Sequence, residues 1–387
     1  MLSAPAVAGR DFSLPRLTSP QSLRIIHVVP RLRGVEAMQV LRLCERLAEY
    51  DTASTIVSVY PSELSAEERA ALGSIHYVEL PQAKSTYGRV RALAGELRRL
   101  KPLVAHFHLS FGRYAGRLAA MVAGGIPVVV LTLDGEEGSG TMRALGDRVL
   151  APWTSSFVVA TEAVKREVRK FGVDDKKIDI IPGGALGCVA NMRVASTARA
   201  KLNVRNEDIA LILPARLAAQ KNQRLAMRAC ARLFGEREDW QLLLLGEGSD
   251  DAMLRREAGR LHIATRVQFL ANLWDLQSIL PAMDLFVIPS NWERLPTAMG
   301  DAMMLGVPVV STPWDGYDEF LIDGETGFVA ADWSQEAFAD AIERALIDKE
   351  RTRRVVKRAR IFAGERFDMD QAARKHAILY RTQLRKH

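Results

Sequence analysis

Two basic side chains near the middle of the chain stand where a phosphate group would bind. Arg216 and Lys221 lie between an apolar run at 209–214 and an amphipathic stretch at 223–234. The free N–H groups of a helix start, together with two cations, suit a diphosphate. Gly246, at the end of the next apolar run, would let a ligand approach the backbone closely. Taken alone, the two cations are more typical of ordinary loop charges.

Farther along, two carboxylates flank a predicted helix start. Glu293 lies in a loop after an apolar run, Pro296 fits the first helical turn, and Asp301 comes one to two turns later. The backbone N–H groups of Thr297 and Ala298 would be free to bind an anion. Carboxylates accept hydrogen bonds from sugar hydroxyls, so the pair fits a sugar site. It also fits acidic residues that the helix dipole favours.

These residues sit within a regular alternation of β-branched runs and helical patterns. The predicted strands cover 24–29, 54–60, 75–80, 104–108, 128–133, 157–160, 178–181, 209–214, 241–245, 267–270, 285–288 and 307–311, and a helical stretch follows from 334 to 387. Strands that are apolar on both faces and separated by helices indicate parallel α/β architecture. We expect two doubly wound, Rossmann-like domains that face a central cleft at the carboxyl ends of their sheets.

The expected domain boundaries follow from where this pattern falters. We predict a flexible leader at 1–22, an N-terminal Rossmann-like domain at 23–187 and a linker at 188–206. A second Rossmann-like domain follows at 207–365, and a helix at 366–387 packs back on the N-terminal domain.

Several function classes are disfavoured. The loop after the first strand is neither G-x-G-x-x-G nor a P-loop, which argues against a dehydrogenase or a P-loop kinase. Cys44, Cys188 and Cys230 form no C-x-x-C pair, so we expect free thiols in a reducing cytosol rather than disulfides or a zinc site. The longest apolar run, 118–133, is interrupted by glycines and a proline and is too short to span a membrane.

The formal charge is +7, with basic residues clustered at 89–101, 165–170 and 349–360. Solvated helix faces are the ordinary interpretation. Attraction to phosphates or to an anionic membrane surface is the functional one. Nucleic acid is not expected as a partner, because no recognition motif is present and aromatic residues are sparse near the basic runs.

An ordered set of motifs over 209–330 brings these pieces together. The set reads R-x4-K-N from Arg216, L-G-x-G at 245–248, D-x-F-V-x-P-S at 284–290, E-x7-D from Glu293, and G-x-P-V-V-S at 306–311, and a glycine-rich stretch follows at 316–327. This order resembles the family 4 retaining glycosyltransferases of the GT-B fold, and weaker similarity extends over 24–187.

The resemblance implies a role for each matching residue. Arg216 and Lys221 would hold the donor diphosphate, Glu293 the transferred sugar, and Asp301 the ribose. Asp134 would lie near the reacting sugar. The catalytic residues would be Arg216, Lys221, Glu293 and Asp134. The remaining donor contacts would be Gly34, Gly246, Leu270, Leu273, Leu295, Pro296, Thr297 and Ala298, and the acceptor contacts Arg33, His108 and Asp134. The resemblance also implies that the domain at 23–187 binds the acceptor and the domain at 207–365 binds the nucleotide sugar. The expected substrate is a UDP- or GDP-sugar, with no cofactor and no metal.

Three positions depart from the family pattern. Arg33 precedes Gly34 where a second glycine is common, Asp134 stands where many relatives have histidine, and Asp301 replaces a glutamate. His106 and His108 end a predicted strand, and we expect them on opposite faces of the sheet, with at most one in the cleft.

Three functions are compatible with these residues. The first is a retaining, metal-independent glycosyltransferase that acts on a lipid-linked, polysaccharide or other acceptor, in the cytoplasm or at the inner face of the cytoplasmic membrane. The second is a sugar-nucleotide epimerase of the same fold. The third is a non-catalytic partner protein that retains the fold, which the changes at Arg33 and Asp134 motivate.

Overall fold

A computed structural model describes residues 22–32, 34–62, 64, 66–108, 112–133, 146, 148–170, 172–185, 192–271, 276–293 and 297–387. The chain divides into two compact units. The first unit contains residues up to 183 and also the last segment, 369–387, and the second contains 184–368.

The first unit is built on a parallel sheet of seven strands in the order β3-β2-β1-β4-β5-β6-β7. Its strands are β1 (Leu23–Val29), β2 (Thr52–Ser58), β3 (His76–Glu79), β4 (Val104–Phe107), β5 (Val128–Thr132), β6 (Ser156–Val159) and β7 (Ile178–Ile180). Its helices are α1 (Gly34–Leu47), α2 (Ala66–Ala71), α3 (Thr86–Leu100), α4 (Arg117–Ala123), α5 (Glu162–Lys170) and, from the end of the chain, α13 (Met369–Leu384).

The second unit has a parallel sheet of six strands in the order β10-β9-β8-β11-β12-β13. Its strands are β8 (Ile209–Pro214), β9 (Trp240–Leu245), β10 (Val267–Leu270), β11 (Leu285–Ile288), β12 (Val309–Ser311) and β13 (Phe328–Val329). Its helices are α6 (Met192–Lys201), α7 (Gln223–Phe234), α8 (Asp251–Arg260), α9 (Leu276–Ile279), α10 (Thr297–Leu305), α11 (Gln335–Ile347) and α12 (Lys349–Arg366).

Each sheet is mostly apolar on both faces, as is typical of parallel sheets covered by helices. In the first unit, one core lies on the face covered by α1 and α13, with Leu43 and Tyr380 packed among strand residues. The opposite face packs against α3 through Leu93 and Leu97. In the second unit, Trp240 and Phe234 stack with ring centroids 5.0 Å apart inside the core.

The predicted α/β class and parallel strands are confirmed, and all twelve predicted strands are present with ends that differ by at most two residues. One strand was missed, β13, because its two residues give no detectable alternation. Among the described residues, no helix is long and apolar enough to cross a membrane.

Candidate active site

The candidate site lies at the point where the strand order of the second sheet reverses. β8 and β11 are neighbours, although two strands, β9 and β10, separate them in sequence. The loop after β8 carries Arg216 and Lys221, and the loop after β11 carries Glu293. Ligands of open α/β sheets bind in the crevice at such a reversal, because the connecting helices leave on opposite faces.

An ion pair joins the two loops. Lys221 Nζ lies 2.8 and 2.7 Å from the two carboxylate oxygens of Glu293. Ser290 Oγ donates a 2.5 Å hydrogen bond to Glu293 Oε1. The side chains of Lys221 and Glu293 are only 16% and 10% exposed, so water competes weakly with this contact. The carboxylate is therefore held in one orientation before any ligand binds.

The backbone fixes the same two loops against each other. Asn291 N–H donates to the carbonyl oxygen of Gln220 at 3.0 Å, and Asn222 Nδ2 donates to Asn291 Oδ1 at 3.2 Å. Asn222 has φ of 48°, a left-handed conformation that asparagine tolerates well. These contacts place Lys221 at the end of a short helical turn that faces the β11 loop.

Ser290 is itself anchored from the next strand. Its carbonyl oxygen accepts a 2.6 Å hydrogen bond from the hydroxyl of Thr312, which is fully buried just after β12. Ser290 and Thr312 were not among the predicted site residues. Ser290 belongs to the P-S pair of the quoted motif, which was the available signal, whereas nothing in the local sequence marks Thr312.

Arg216 differs from Lys221 in its surroundings. Its side chain is exposed, and no carboxylate within the described ranges forms an ion pair with it. Its carbonyl oxygen accepts a 2.7 Å hydrogen bond from Nε2 of the buried Gln223. The backbone of the β8 loop is thus fixed while the guanidinium remains available to an anion.

The two glycines after β9 hold this loop in place by close packing. A Cβ at Gly246 would lie 2.2 Å from the carbonyl oxygen of Ala215, and one at Gly248 would lie 2.1 Å from that of Leu217. Gly246 N–H donates to the carbonyl oxygen of Leu270 at 2.7 Å, which links β9 to the end of β10. Packing against the β8 loop is therefore sufficient to require glycine at 246, whatever ligand the loop binds.

Asp301 lies in the second turn of α10 and is 2% exposed. Gln277 Nε2, from α9, donates to Asp301 Oδ1 at 3.1 Å. Thr297 and Ala298, the first two residues of α10, are also buried. The carboxylate thus has a side-chain donor from a helix that the sequence prediction did not include.

The remaining predicted site residues divide into two groups. Gly34 begins α1, directly after the β1 loop, in the first unit. Arg33, Asp134, Leu273, Leu295 and Pro296 lie outside the described residues.

In the first unit, the predicted acceptor residue His108 belongs to a buried histidine cluster. His27 Nδ1 lies 3.0 Å from His108 Nε2, and the rings of His106 and His108 have centroids 4.0 Å apart. The expectation that His106 and His108 lie on opposite faces is wrong, because residues two apart in a strand point to the same face.

Hydrogen bonds and burial set the protonation of this cluster. His106 lies 2.7 Å from the hydroxyl of Tyr380 and 2.7 Å from that of Thr132. Burial is the main cause that lowers the pKa of His106 and His108 well below the usual value and that of His27 to about 3. Charge repulsion from neighbouring histidines is the second cause. Burial also lowers the pKa of His376 to about 4. The four imidazoles are therefore neutral at neutral pH.

Two family profiles match the chain and between them cover most of it. The profile described as "Glycosyl transferases group 1" matches residues 194–362, which include the Lys221–Glu293 ion pair. The profile "Glycosyltransferase Family 4" matches residues 34–185. The chain belongs to the family 4 glycosyltransferases.

Individual relatives of this glycosyltransferase share moderate sequence identity with it over part of its length. A lipopolysaccharide core biosynthesis glycosyltransferase, LpsE of Rhizobium meliloti, is 32% identical over 43% of this chain and 48% of its own length. D-inositol 3-phosphate glycosyltransferase of Mycobacterium tuberculosis is 27% identical over 64% of this chain and 50% of its own length. The matches thus span about half the length of these two curated relatives.

Solved structures agree with the fold over nearly the whole glycosyltransferase chain. Anabaena HepE, solved in complex with UDP and glucose, has a TM-score of 0.79 at 17% identity and covers 92% of this chain and 98% of its own. WaaG, a glycosyltransferase involved in lipopolysaccharide biosynthesis, has a TM-score of 0.72 at 15% identity and covers 91% and 98%. At these identities the likeness shows the GT-B fold.

Proposed function

We propose that this glycosyltransferase transfers a sugar from a UDP-sugar to a lipid-linked or polysaccharide acceptor, with retention of anomeric configuration and without a divalent metal. The observation that carries the proposal is the partly buried Lys221–Glu293 ion pair, fixed by Ser290 at the strand-order reversal of the second sheet. The relatives support the substrate class, since HepE was solved with UDP and glucose and with UDP-glucose.

The ion pair fits a site that must hold both a diphosphate and a sugar. Lys221 neutralises Glu293 at 2.7 Å, so neither charge is left unpaired in a partly buried position. A diphosphate at the β8 loop would share the ammonium group, together with the exposed Arg216. Glu293 would then accept hydrogen bonds from sugar hydroxyls while Ser290 keeps its orientation.

Leaving-group stabilisation follows from the same residues. Departure of the nucleoside diphosphate places negative charge on the β-phosphate, and the cations of Lys221 and Arg216 would stabilise that charge without a metal ion. Asp301 and Gln277 would hold the ribose hydroxyls, the Gln277 amide orienting a carboxylate that is shorter than the glutamate usual at this position. Asp134 is proposed to lie near the reacting sugar.

The first experiment is a thermal-shift screen of nucleotides and nucleotide sugars. A ligand that binds only the folded chain raises its unfolding midpoint, so UDP and one UDP-sugar should stabilise it more than GDP and its sugars. A selective response to GDP compounds would overturn the assignment of the base. No response to any nucleotide would overturn the donor site itself.

The second experiment tests the chemistry with the donor so identified. Transfer to an added acceptor, or slow donor hydrolysis, should be lost in Lys221→Ala and in Glu293→Ala and should not change when Mg²⁺ and Mn²⁺ are withheld. NMR of the product should show the anomeric configuration of the donor. Donor conversion without transfer or hydrolysis would indicate an epimerase, and nucleotide binding without turnover a non-catalytic partner.

A lipid-linked acceptor would bring this chain to the inner face of the cytoplasmic membrane, and the first unit has a surface suited to that. Leu118, Met121 and Val122 of α4 are exposed, at 42%, 39% and 52%. Arg98 of α3 donates from Nε to the carbonyl oxygen of Ala123 at 3.2 Å, which sets a cation beside them. Apolar side chains bordered by basic ones suit an anionic bilayer surface.

Liposome co-sedimentation tests this membrane surface. The chain should bind vesicles that contain anionic lipid, less so at high salt, and Met121→Ser with Val122→Ser should weaken binding while leaving donor hydrolysis unchanged. Equal sedimentation with neutral and anionic vesicles, or no sedimentation, would refute the membrane surface without affecting the donor site.

A further inference from the structure

Three histidines of the first unit converge on one point of its sheet. His27 on β1 is in register with His106 on the neighbouring β4. His108 follows β4 and continues the ladder, its N–H donating to the carbonyl oxygen of Val28 at 2.9 Å. Residues in register, and residues two apart, point to the same face, so all three imidazoles lie together. All three are buried, with 0%, 0% and 6% exposure.

This face of the sheet changes from apolar to polar toward the carboxyl ends of the strands. The change is repeated on three neighbouring strands, from Ile25 to His27, from Val104 to His106 and from Val130 to Thr132. Aliphatic residues would fill such a face without needing hydrogen-bond partners, whereas each buried polar group costs free energy unless it is paired. The polar residues therefore need a ligand or a complete hydrogen-bond network.

Hydrogen bonding within the chain does not satisfy the whole cluster. His27 Nε2 is buried and has no hydrogen-bond partner in the described part of the chain. His27 Nδ1 and His108 Nε2 are 3.0 Å apart, and one ring nitrogen from each of the three histidines lies within 4.8 Å of the others. Ring nitrogens of three imidazoles thus lie within one small volume.

We propose that His27, His106 and His108 bind a divalent transition-metal cation, with Zn²⁺ as the reference ion. Tetrahedral zinc with Zn–N bonds of about 2.0–2.1 Å places its nitrogen ligands roughly 3.3 Å apart, close to the His27–His108 separation. His106 joins them by turning its Nε2 from the hydroxyl of Thr132 toward the metal. Three imidazoles suit Zn²⁺, Ni²⁺ and Cu²⁺ far better than Mg²⁺ or Ca²⁺.

One imidazole of the cluster already has the outer partner that a metal site requires. A metal-bound histidine generally donates its other N–H to an outer partner, and Tyr380 on α13 lies 2.7 Å from His106 Nδ1. The metal would join β1 to β4 under the C-terminal helix. This site lies in the first unit, whereas Lys221 and Glu293 lie in the second.

The test uses the untagged full-length chain, stripped with a chelator, desalted and titrated with ZnCl₂ and CoCl₂. One equivalent of each metal should bind. The unfolding midpoint should rise by about 5–10 °C at a free Zn²⁺ concentration of roughly one hundred times the dissociation constant. Bound Co²⁺ should give the intense visible absorption of a four-coordinate ion, and its NMR spectrum should contain shifted N–H signals from three imidazoles.

Matched variants locate the site. His27→Gln and His108→Gln should each weaken Zn²⁺ binding by about 100-fold, and Tyr380→Phe by about 10-fold, as expected for an outer partner. His76→Gln, on β3 and outside the cluster, should bind Zn²⁺ like the wild type. The proposal is overturned if the wild type binds no stoichiometric metal, or if His27→Gln binds as tightly as the wild type. Should the glutamine variants fail to fold, the Co²⁺ spectra of the wild type decide, because absence of the three imidazole signals overturns it too.

Discussion

Replacing Lys221 and Glu293 singly and together should show that the two side chains are energetically coupled. The variants are Lys221→Met, Glu293→Gln and the double variant. Each single change leaves one partner without its counter-charge in a position where the side chains are only 16% and 10% exposed. The double change leaves two neutral side chains of similar size.

The expected magnitude follows from that burial. A hydrogen bond to a charged group contributes about 1.5–3 kcal/mol, and a fully buried pair that loses one partner costs about 3–5 kcal/mol. Because some water reaches this pair, we expect about 2 kcal/mol for each single variant. The double variant should also lose about 2 kcal/mol, not 4, which gives a coupling energy of about 2 kcal/mol. The midpoint of thermal unfolding should fall by roughly 4–8 °C in each single variant.

Tryptophan fluorescence during urea or thermal unfolding measures the effect in the correct unit, because Trp153 is the only one of the chain's six tryptophans outside 184–368. All three variants should lose donor turnover by about 100-fold or more. Losses in stability that add to within about 0.5 kcal/mol would show that no ion pair forms in solution. Normal turnover in either single variant would refute the catalytic assignment.

Three further outcomes follow from the structure. Gly248→Ala brings a Cβ to 2.1 Å from the carbonyl oxygen of Leu217 and should destabilise the second unit by about 3 kcal/mol in urea unfolding. The control is Gly259→Ala in α8, where a Cβ would meet no atom within 4 Å, and it should stabilise the unit by about 0.5 kcal/mol. Arg216→Ala removes an exposed guanidinium and should change the free energy of unfolding by less than about 0.5 kcal/mol. It should weaken nucleotide binding measured by calorimetry. Unchanged nucleotide affinity would exclude Arg216 from the site. Burial lowers the folded-state pKa of His27 to about 3 and of His376 to about 4, so the unfolded chain binds more protons than the folded chain below pH 6.5. The free energy of unfolding should therefore fall as the pH drops from about 6.5 to 3. The loss should be about 1 kcal/mol per buried histidine at pH 5.5. His27→Gln should reduce that slope, and an unchanged slope would contradict a neutral buried His27.

The sequence by itself determined the parallel α/β class, the positions of twelve strands and the second-unit loops that carry the site. These features are local, because a buried parallel strand needs a short β-branched run and the motif after it needs particular side chains. Arg216, Lys221 and Glu293 could be selected from such motifs alone. The missed β13 is too short for a pattern, and the supports of the site, Thr312 and Gln277, have no local signal.

The tertiary structure alone decided which of these residues meet. Lys221 and Glu293 are 72 residues apart in sequence, and only the pairing of β8 with β11 brings them to 2.7 Å. His106 and Tyr380 are separated by 274 residues and meet because the C-terminal helix returns to the first unit. Cysteine spacing in the sequence indicates no zinc site, whereas the histidines that could form one come from β1 and from the end of β4. Register between strands depends on the whole sheet, so contacts of this kind cannot be predicted from a local pattern.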